Sequence, residues 1–511
     1  MNMKSTWGLS GKCGRWARLL LISVCAFAAM PSYAASQVIQ NDVFWKDTSG
    51  TPIYSQGGGI LKVGSTYYWY GVKYNGAVTY AANPASKNSD TSFNAVTVYS
   101  STDLAHWKFE GNAVSVAPAG QVFESATWLG RLGVVYNSTT HKYVLITQYS
   151  STATGGGVLF ATSSSPTGPF VYDHLQAQIT NVVTPATGDQ TVFIDDDGKA
   201  YLVFSNSNGR SHLYVAPIRT SDSLNIEAAT NVYNSGSGGR EGNAMFKYNG
   251  TYYFCSSDLH GWNASHTYCI TANNITGPYS AEFVMTGTDA DFSHVTQTGF
   301  FIPVQGSAGT TILFAGDRWS DFAGNGIGYN QWTPLSFSGT TPKFNSLSQF
   351  NLDAATGGWT VGSGNNYILN PSFEADRVGQ NVLAGWSNWS NLSGVDPNSN
   401  VAGGHSGRWA MTQSYTAAYS ASMYQNVTLP NGTYTLTAWV KSSGGQSIAR
   451  VYIKNFGSAE IDYSINTTIA SWTQISIPNI VVSNGTAQVG VYSVANANNW
   501  VRVDDFTLIK N

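Results

Sequence analysis

Three carboxylates stand beside strand-like runs of this sequence without belonging to its tight turns: Glu124 in QVFESATWLG, Asp189 just ahead of VFIDDDGKAYL, and Glu241 in SGSGGREGNAMFKY. A carboxylate inside an apolar run is seldom a solvated side chain unless it is paired or does chemistry, which singles out Glu124. Glu241 is flanked by glycines (Gly236, Gly238, Gly239, Gly242), which leave room for a ligand beside its carboxyl. On placement alone it reads equally well as a surface loop residue. Asp189, with Gln190 beside it, opens a strand, whereas Asp195, Asp196 and Asp197 read as the turn itself. His294 and Gln297 lie in DFSHVTQTGFFIPV, ahead of another apolar strand, where a polar cluster by itself marks a strand end. Carboxyl groups brought together from separate strands suit acid–base hydrolysis, and the glycosidic bond in particular. There one group protonates the leaving oxygen while another activates water or attacks the sugar.

The elements that must position these residues are hairpins. An apolar stretch, a tight turn and an aromatic-rich stretch recur in ILKVGSTYYWYG (60–71), VVYNSTTHKYVLITQY (134–149), VFIDDDGKAYLVFS (192–205), MFKYNGTYYFCSS (245–257) and FIPVQGSAGTTILFAGD (301–317). Asp197-Gly198 and Asn249-Gly250 supply hairpin turn chemistry. The repeat distance, roughly 50 to 75 residues, matches one four-stranded propeller blade per hairpin. Five units predict an all-β, five-bladed β-propeller over residues 36–355. The Gly-rich, uncharged run 356–366 then reads as a linker. Residues 367–511 carry short alternating strands, such as Tyr434-Thr435-Leu436-Thr437-Ala438-Trp439-Val440, and predict a β-sandwich of jelly-roll type.

Residues 1–34 combine Lys4, Lys12, Arg15 and Arg18, the apolar run LLLISVCAFAAM, and small residues up to Ala34. That is the pattern of a secretory signal, cleaved after Ala34. Without it, 21 basic residues face 28 acidic ones, which speaks against nucleic acid or an anionic membrane as a partner. Cys255 and Cys269 are then the only cysteines, and in an oxidising compartment a disulfide between them is the default. The expected product is a secreted monomer, extracellular or periplasmic. Charged residues are only 10% of the chain and aromatic residues 13%, a surface that suits sugars.

The hairpins GGGILKVGSTYYWYG and FIDDDGKAYLVF, in this order, resemble the first and third blades of glycoside hydrolase family 43. Most members carry an aspartate base ahead of the first hairpin; here Gly57 holds that position. That departure resembles the exo-β-1,3-galactanase subgroup. The resemblance implies Glu241 as general acid and Gln297 at the base position. It also implies substrate contacts or charge-setting roles for Glu124 and Asp189, and a G-D-R-W segment at Gly316-Asp317-Arg318-Trp319, of which Arg318 and Trp319 are taken as substrate contacts. Gln190 beside Asp189 and His294 three residues before Gln297 join them as candidates by position. Two departures bear on the substrate: Tyr70-Gly71-Val72-Lys73 lacks an acidic residue found in those galactanases, and so does the position of Gln190. The C-terminal part resembles family 4/9-like carbohydrate-binding modules through LNPSFE (369–374) and VDDF (503–506). That resemblance implies a structural calcium where the two ends meet, with Glu374 and Asp504 or Asp505 as candidate ligands; read bare, these acids close a sheet edge. No cofactor is implied for catalysis, and the implied partner is a plant polysaccharide. The alternatives are an α-L-arabinofuranosidase or β-xylosidase on the same fold, or a sugar-binding propeller without activity.

Overall fold

A computed structural model describes residues 36–84, 88–152, 154–319 and 329–511. The signal segment expected at 1–34 lies outside the described residues. Five antiparallel four-stranded sheets follow one another along the chain. Their inner strands are Gln56–Val63, Trp128–Asn137, Thr187–Ile194, Glu241–Tyr248 and Gln297–Gly306. These five contact each other in cyclic order, the last returning to the first, so the sheets are the blades of a five-bladed propeller. The ring is tied by its ends. Gln37–Gln40 pairs with Gln349–Asp353, which pairs in turn with Gly358–Val361. Part of the run 356–366, expected as a linker, is therefore a strand of this closing sheet: Trp359 faces Leu352, and its ring packs with the core between blades five and one.

Each interface between blades has its own core. Leu61, Tyr70 and Leu145 pack between blades one and two, and Ile146 and Phe204 between two and three. Val215 and Phe254 pack between three and four, Phe246 and Phe314 between four and five, and Trp69 and Leu313 between five and one. Middle strands are buried on both faces, which explains their unbroken apolar runs. Between them, Asn249 and Gly250 both take positive φ, 48° and 81°, as a type I′ hairpin requires.

All five inner strands share one irregularity. Each register is interrupted near its start: between Gln56 and Gly59, Leu129 and Leu132, Thr187 and Gln190, Glu241 and Ala244, and Thr298 and Phe300. The first residue inside every interruption is a glycine, namely Gly57, Gly130, Gly188, Gly242 and Gly299. Bulges bend a strand and re-aim its side chains. Here five of them, at equivalent heights, turn the strand starts toward the propeller axis.

The second unit is a sandwich of two five-stranded antiparallel sheets. Along Gly432–Ser443 the side chains alternate, with Tyr434, Leu436, Ala438 and Val440 buried in the shared core. Trp386, Trp409 and Tyr419 are interior; Trp389 is exposed.

Candidate active site

The bulged strand starts bring one polar network together. Gln297 and Asp317 face each other across blade five. Arg131, from blade two, joins three partners: its Nε donates to Asp189 at 3.1 Å and its two terminal nitrogens to Asp317 and Gln297, both at 2.8 Å. The Gln297 amide oxygen also accepts from the Trp319 indole at 3.1 Å, and its Nε2 donates to Glu241 at 2.7 Å. Arg210 completes the set by bonding the other Glu241 oxygen. Backbone joins in, with the Gly242 N–H donating to Asp189 at 2.8 Å and the Gly57 N–H to Asp317 at 3.2 Å. The glycine is required at 242: it takes φ +58°, and a Cβ there would lie 2.4 Å from the Thr298 carbonyl oxygen.

The charges are uneven, and this assigns roles. Burial pushes Asp189 up, yet Arg131 and Arg210 hold it below the usual carboxylate range. Asp317 is raised by burial, although Arg131 pulls the other way. Burial and the nearby Asp189 carboxylate push Glu241 up to about 7, against Arg210 and Arg131. A carboxyl protonated near neutrality and placed at the end of a strand is equipped to donate a proton. Because Gln297 bonds Glu241 directly, an incoming glycosidic oxygen must displace the amide to reach that proton.

Of the residues singled out by sequence, Glu241, Gln297, Asp189 and Trp319 meet here. Four others do not. Glu124 is half-buried in the turn before blade two, where its carboxylate accepts from the Gly120 N–H at 2.8 Å. The apolar run around it is a turn packed by Phe123, not a strand of the funnel. Gln190 follows the bulge and points away, buried, with its oxygen accepting from the Thr187 hydroxyl. His294 and Arg318 form a second cluster. His294 lies 3.1 Å from Asp42 through Nε2 and 2.7 Å from Ser346 through Nδ1, and Arg318 donates to Asp42 at 2.8 Å. Strand alternation sends Asp317 and Trp319 inward and Arg318 outward. His294 belongs to a left-handed turn, Phe292–Val295, with φ of 49°, 56°, 58° and 58°. Left-handed backbone costs a non-glycine residue about 1–2 kcal/mol.

Sequence reasoning missed Arg131 and Arg210, and gave Asp317 no role beyond its place in the G-D-R-W segment. Arg131 had a signal: it is the lone charge in the apolar strand WLGRLGVVY, directly after a bulge glycine, as Asp189 is in TGDQT.

Cys255 and Cys269 are register partners on neighbouring strands and are joined by a disulfide. In the sandwich, Glu374 accepts from the N–H groups of Arg408 and Trp409, and Asp504 from that of His405. Asp505 turns to the His405 ring and the Ser406 hydroxyl instead. Among the described residues no three of His, Cys, Asp and Glu gather as a metal site. The loop 403–409 lies among the three acids and gives its N–H groups to Glu374 and Asp504.

Residues 59–306 match the family model described as glycosyl hydrolases family 43. A β-D-galactofuranosidase of Aspergillus niger is 28% identical over 234 residues, 44% of this chain and 66% of that protein. The chain spans 16% to 66% of the length of the curated relatives it matches. Among solved structures, an exo-β-1,3-galactanase from Phanerochaete chrysosporium with β-1,3-galactotriose is 23% identical. It covers 92% of this chain and all of its own, with a TM-score of 0.58. A family 43 β-1,3-galactosidase with galactodeoxynojirimycin is 25% identical, covers 60% of this chain and 98% of its own, and has a TM-score of 0.51.

Proposed function

The chain belongs to glycosyl hydrolase family 43 through the domain at residues 59–306, and on that premise we propose that it is a secreted glycoside hydrolase, an inverting exo-β-1,3-galactanase that trims galactan backbones such as that of arabinogalactan. The observation that carries this reading is the Glu241–Gln297 pair: a carboxyl raised to about 7 beside a neutral amide on the next blade. The two aspartates nearby are poor substitutes, since Arg131 holds both. Glu241 protonates the leaving oxygen. The substrate parts the pair toward the roughly 6.5–9.5 Å that an inverting mechanism needs, and Gln297 orients the water that enters the gap; as that water bonds the anomeric carbon its surplus proton passes to solvent, from which Glu241 is reprotonated. Arg131 and Trp319 fix the amide oxygen, which leaves the NH2 end to swing from Glu241. The family 43 β-1,3-galactosidase of known structure, 25% identical, supports this substrate class.

The test is a product profile on de-branched arabinogalactan. Galactose release is expected, with Glu241→Gln slower by about 10²–10⁴-fold. Release of arabinose or xylose alone, or a Glu241→Gln enzyme within threefold of wild type, overturns the reading.

The sandwich is read as a carbohydrate-binding module. Its outer sheet places Trp389, Ser422, Tyr492 and Arg450 side by side on neighbouring strands, a row of rings and polar groups suited to sugar faces and hydroxyls. Loss of retention on galactan gels in Trp389→Ala is its check. A structural calcium beside Asp504 is also proposed. Burial, then Asp505 and Glu374, raises that carboxyl well above its ordinary value, a repulsion a cation relieves. A melting temperature that EDTA leaves unmoved removes the ion.

A further inference from the structure

The loop 258–266 runs between the proton donor and the sandwich domain. At its base Ser257 is the register partner of Glu241, and the Cys255–Cys269 disulfide closes it. Its backbone and side chains hold both neighbours of Gln297. The Ser265 N–H donates to the Thr296 carbonyl at 2.9 Å, and the Thr298 N–H donates to the Ser257 hydroxyl at 2.9 Å. Trp262 packs edge-on against Trp319 at 5.0 Å, and Trp319 bonds the Gln297 amide. The left-handed turn Phe292–Val295, which leads into Gln297, is fastened to the same loop where the Ser293 hydroxyl donates to the Ser265 carbonyl at 2.8 Å. Four consecutive non-glycine residues in that conformation persist only when their surroundings over-determine them.

Part of those surroundings comes from the sandwich. Arg377 donates to Asp258 at 2.8 Å, and its guanidinium lies 4.6 Å over the Phe292 ring. Ala375 packs with Ala264 of the loop and Val295 of the turn. Both partners of the ion pair are largely withdrawn from water, at 15% and 24% side-chain exposure, so the contact is more than a screened surface pair.

We propose that Arg377 is a positioning residue of the catalytic centre: it pins the loop 258–266 through Asp258 and the left-handed turn 292–295 through Phe292, and so aims Gln297 from the second domain. This rests on the reading of Glu241 and Gln297 as the reacting pair. The sandwich is then not only a tether to polysaccharide, because one side of the active-site wall is held by it.

The charges facing Glu241 give the proposal a signature. Asp189 and Arg210 face it from blade three, Arg131 from blade two and Asp258 from the loop of blade four. Removing Arg377 leaves the Asp258 charge uncompensated and disfavours ionised Glu241. Removing the Asp258 charge does the opposite.

The experiment uses the full chain with β-1,3-galactobiose as the probe, comparing Arg377→Ala, Arg377→Lys and Asp258→Asn with wild type. Arg377→Ala is expected to lower kcat by about 10- to 100-fold, the cost of a small misplacement, with KM within about twofold. Lysine restores part of it, keeping the ion pair but not the planar stack. The alkaline limb of the pH profile moves up in Arg377→Ala and down in Asp258→Asn, each by on the order of half a unit. Hydrogen exchange in peptides 256–268 and 292–298 becomes faster in Arg377→Ala, a readout independent of turnover. A kcat within twofold of wild type, limbs that do not move in opposite directions, or unchanged exchange overturns the proposal. If Glu241→Gln is inactive while Arg377→Ala behaves as wild type, the positioning role falls alone. If Glu241→Gln stays active, the reading of the site falls with it.

Discussion

Two ionic clusters lie on opposite sides of blade five and use the same short stretches of chain. In the funnel, Asp189, Glu241 and Asp317 meet Arg131 and Arg210, three acids against two guanidinium groups. Outside, Asp42 and Asp291 meet His294 and Arg318, two against two. Each cluster reaches neutrality by placing a proton, but on different groups. Burial would strip His294 of its proton, yet Asp42 and Asp291 outweigh it and raise the ring to about 10. Glu241 is raised only to about 7. The outer cluster therefore keeps its proton throughout the neutral range, and the funnel gives its proton up there. Balanced charge makes a fastening, and a surplus acid suits the proton donor proposed for the funnel.

The largest effect should come from breaking the shared cation. Arg131→Met leaves buried Asp317 without its cation and Asp189 with Arg210 alone, an expected loss of about 3–5 kcal/mol in a denaturant melt. Arg318→Met should cost much less, since Asp42 keeps His294 and Gln331 and its side chain is 37% exposed. Equal losses would show that the outer pair is as buried in effect as the inner one. A smaller effect separates activity from stability. Gln297→Ala should abolish turnover while its melting temperature stays near wild type. His294→Asn should do the reverse in emphasis, losing about 1–3 kcal/mol because it removes a buried hydrogen-bonding group from the left-handed turn. A His294→Asn protein as stable as wild type, but inactive, would move that residue into the site.

The comparison also explains what could be read from the sequence. Blade number follows from five hairpins with clear turn chemistry, and the sandwich follows from alternation such as that around Tyr434. The pair proposed as reacting, Glu241 and Gln297, was singled out through family resemblance, and the hydrogen bond between them was not legible. Arg131 was legible in principle, as a charge after glycine in an apolar strand. The placement of His294 was not. Phe292-Ser293-His294-Val295 contains no glycine or asparagine to announce a left-handed turn, and Val295 is β-branched, the type least suited to φ of 58°. Asp291 bonds the N–H groups of His294 and Val295 from within the turn, but the loop, Asp42 and the sandwich that also fasten it are distant in sequence. Glu124 misled for the opposite reason: an apolar run suggested a strand, and tertiary packing made it a turn.

The smallest effect is a slope. His294 has an ordinary pKa of 6.5 when unfolded and about 10 in the fold, so its paired charge contributes stability that is fully present below pH 6.5. As pH rises from 6.5 toward 10, the unfolded chain releases that proton first, and the contribution is lost progressively. Glu241 acts in a lower window. Its folded value, about 7, exceeds the ordinary 4.5, so its contribution is complete below pH 4.5 and gone by about pH 7. Stability measured by denaturant melts should therefore decline between pH 4.5 and 7 in a way that Glu241→Gln removes. It should decline again between 6.5 and 10 in a way that His294→Asn removes. Activity should fall around and above pH 7, where folded Glu241 gives up its proton, and that limb should be the same in His294→Asn, because the outer fastening does not hold the proton of the funnel. If His294→Asn shifts the limb of activity near pH 7, the two clusters act as one unit, and the division between proposed proton donor and fastening is wrong.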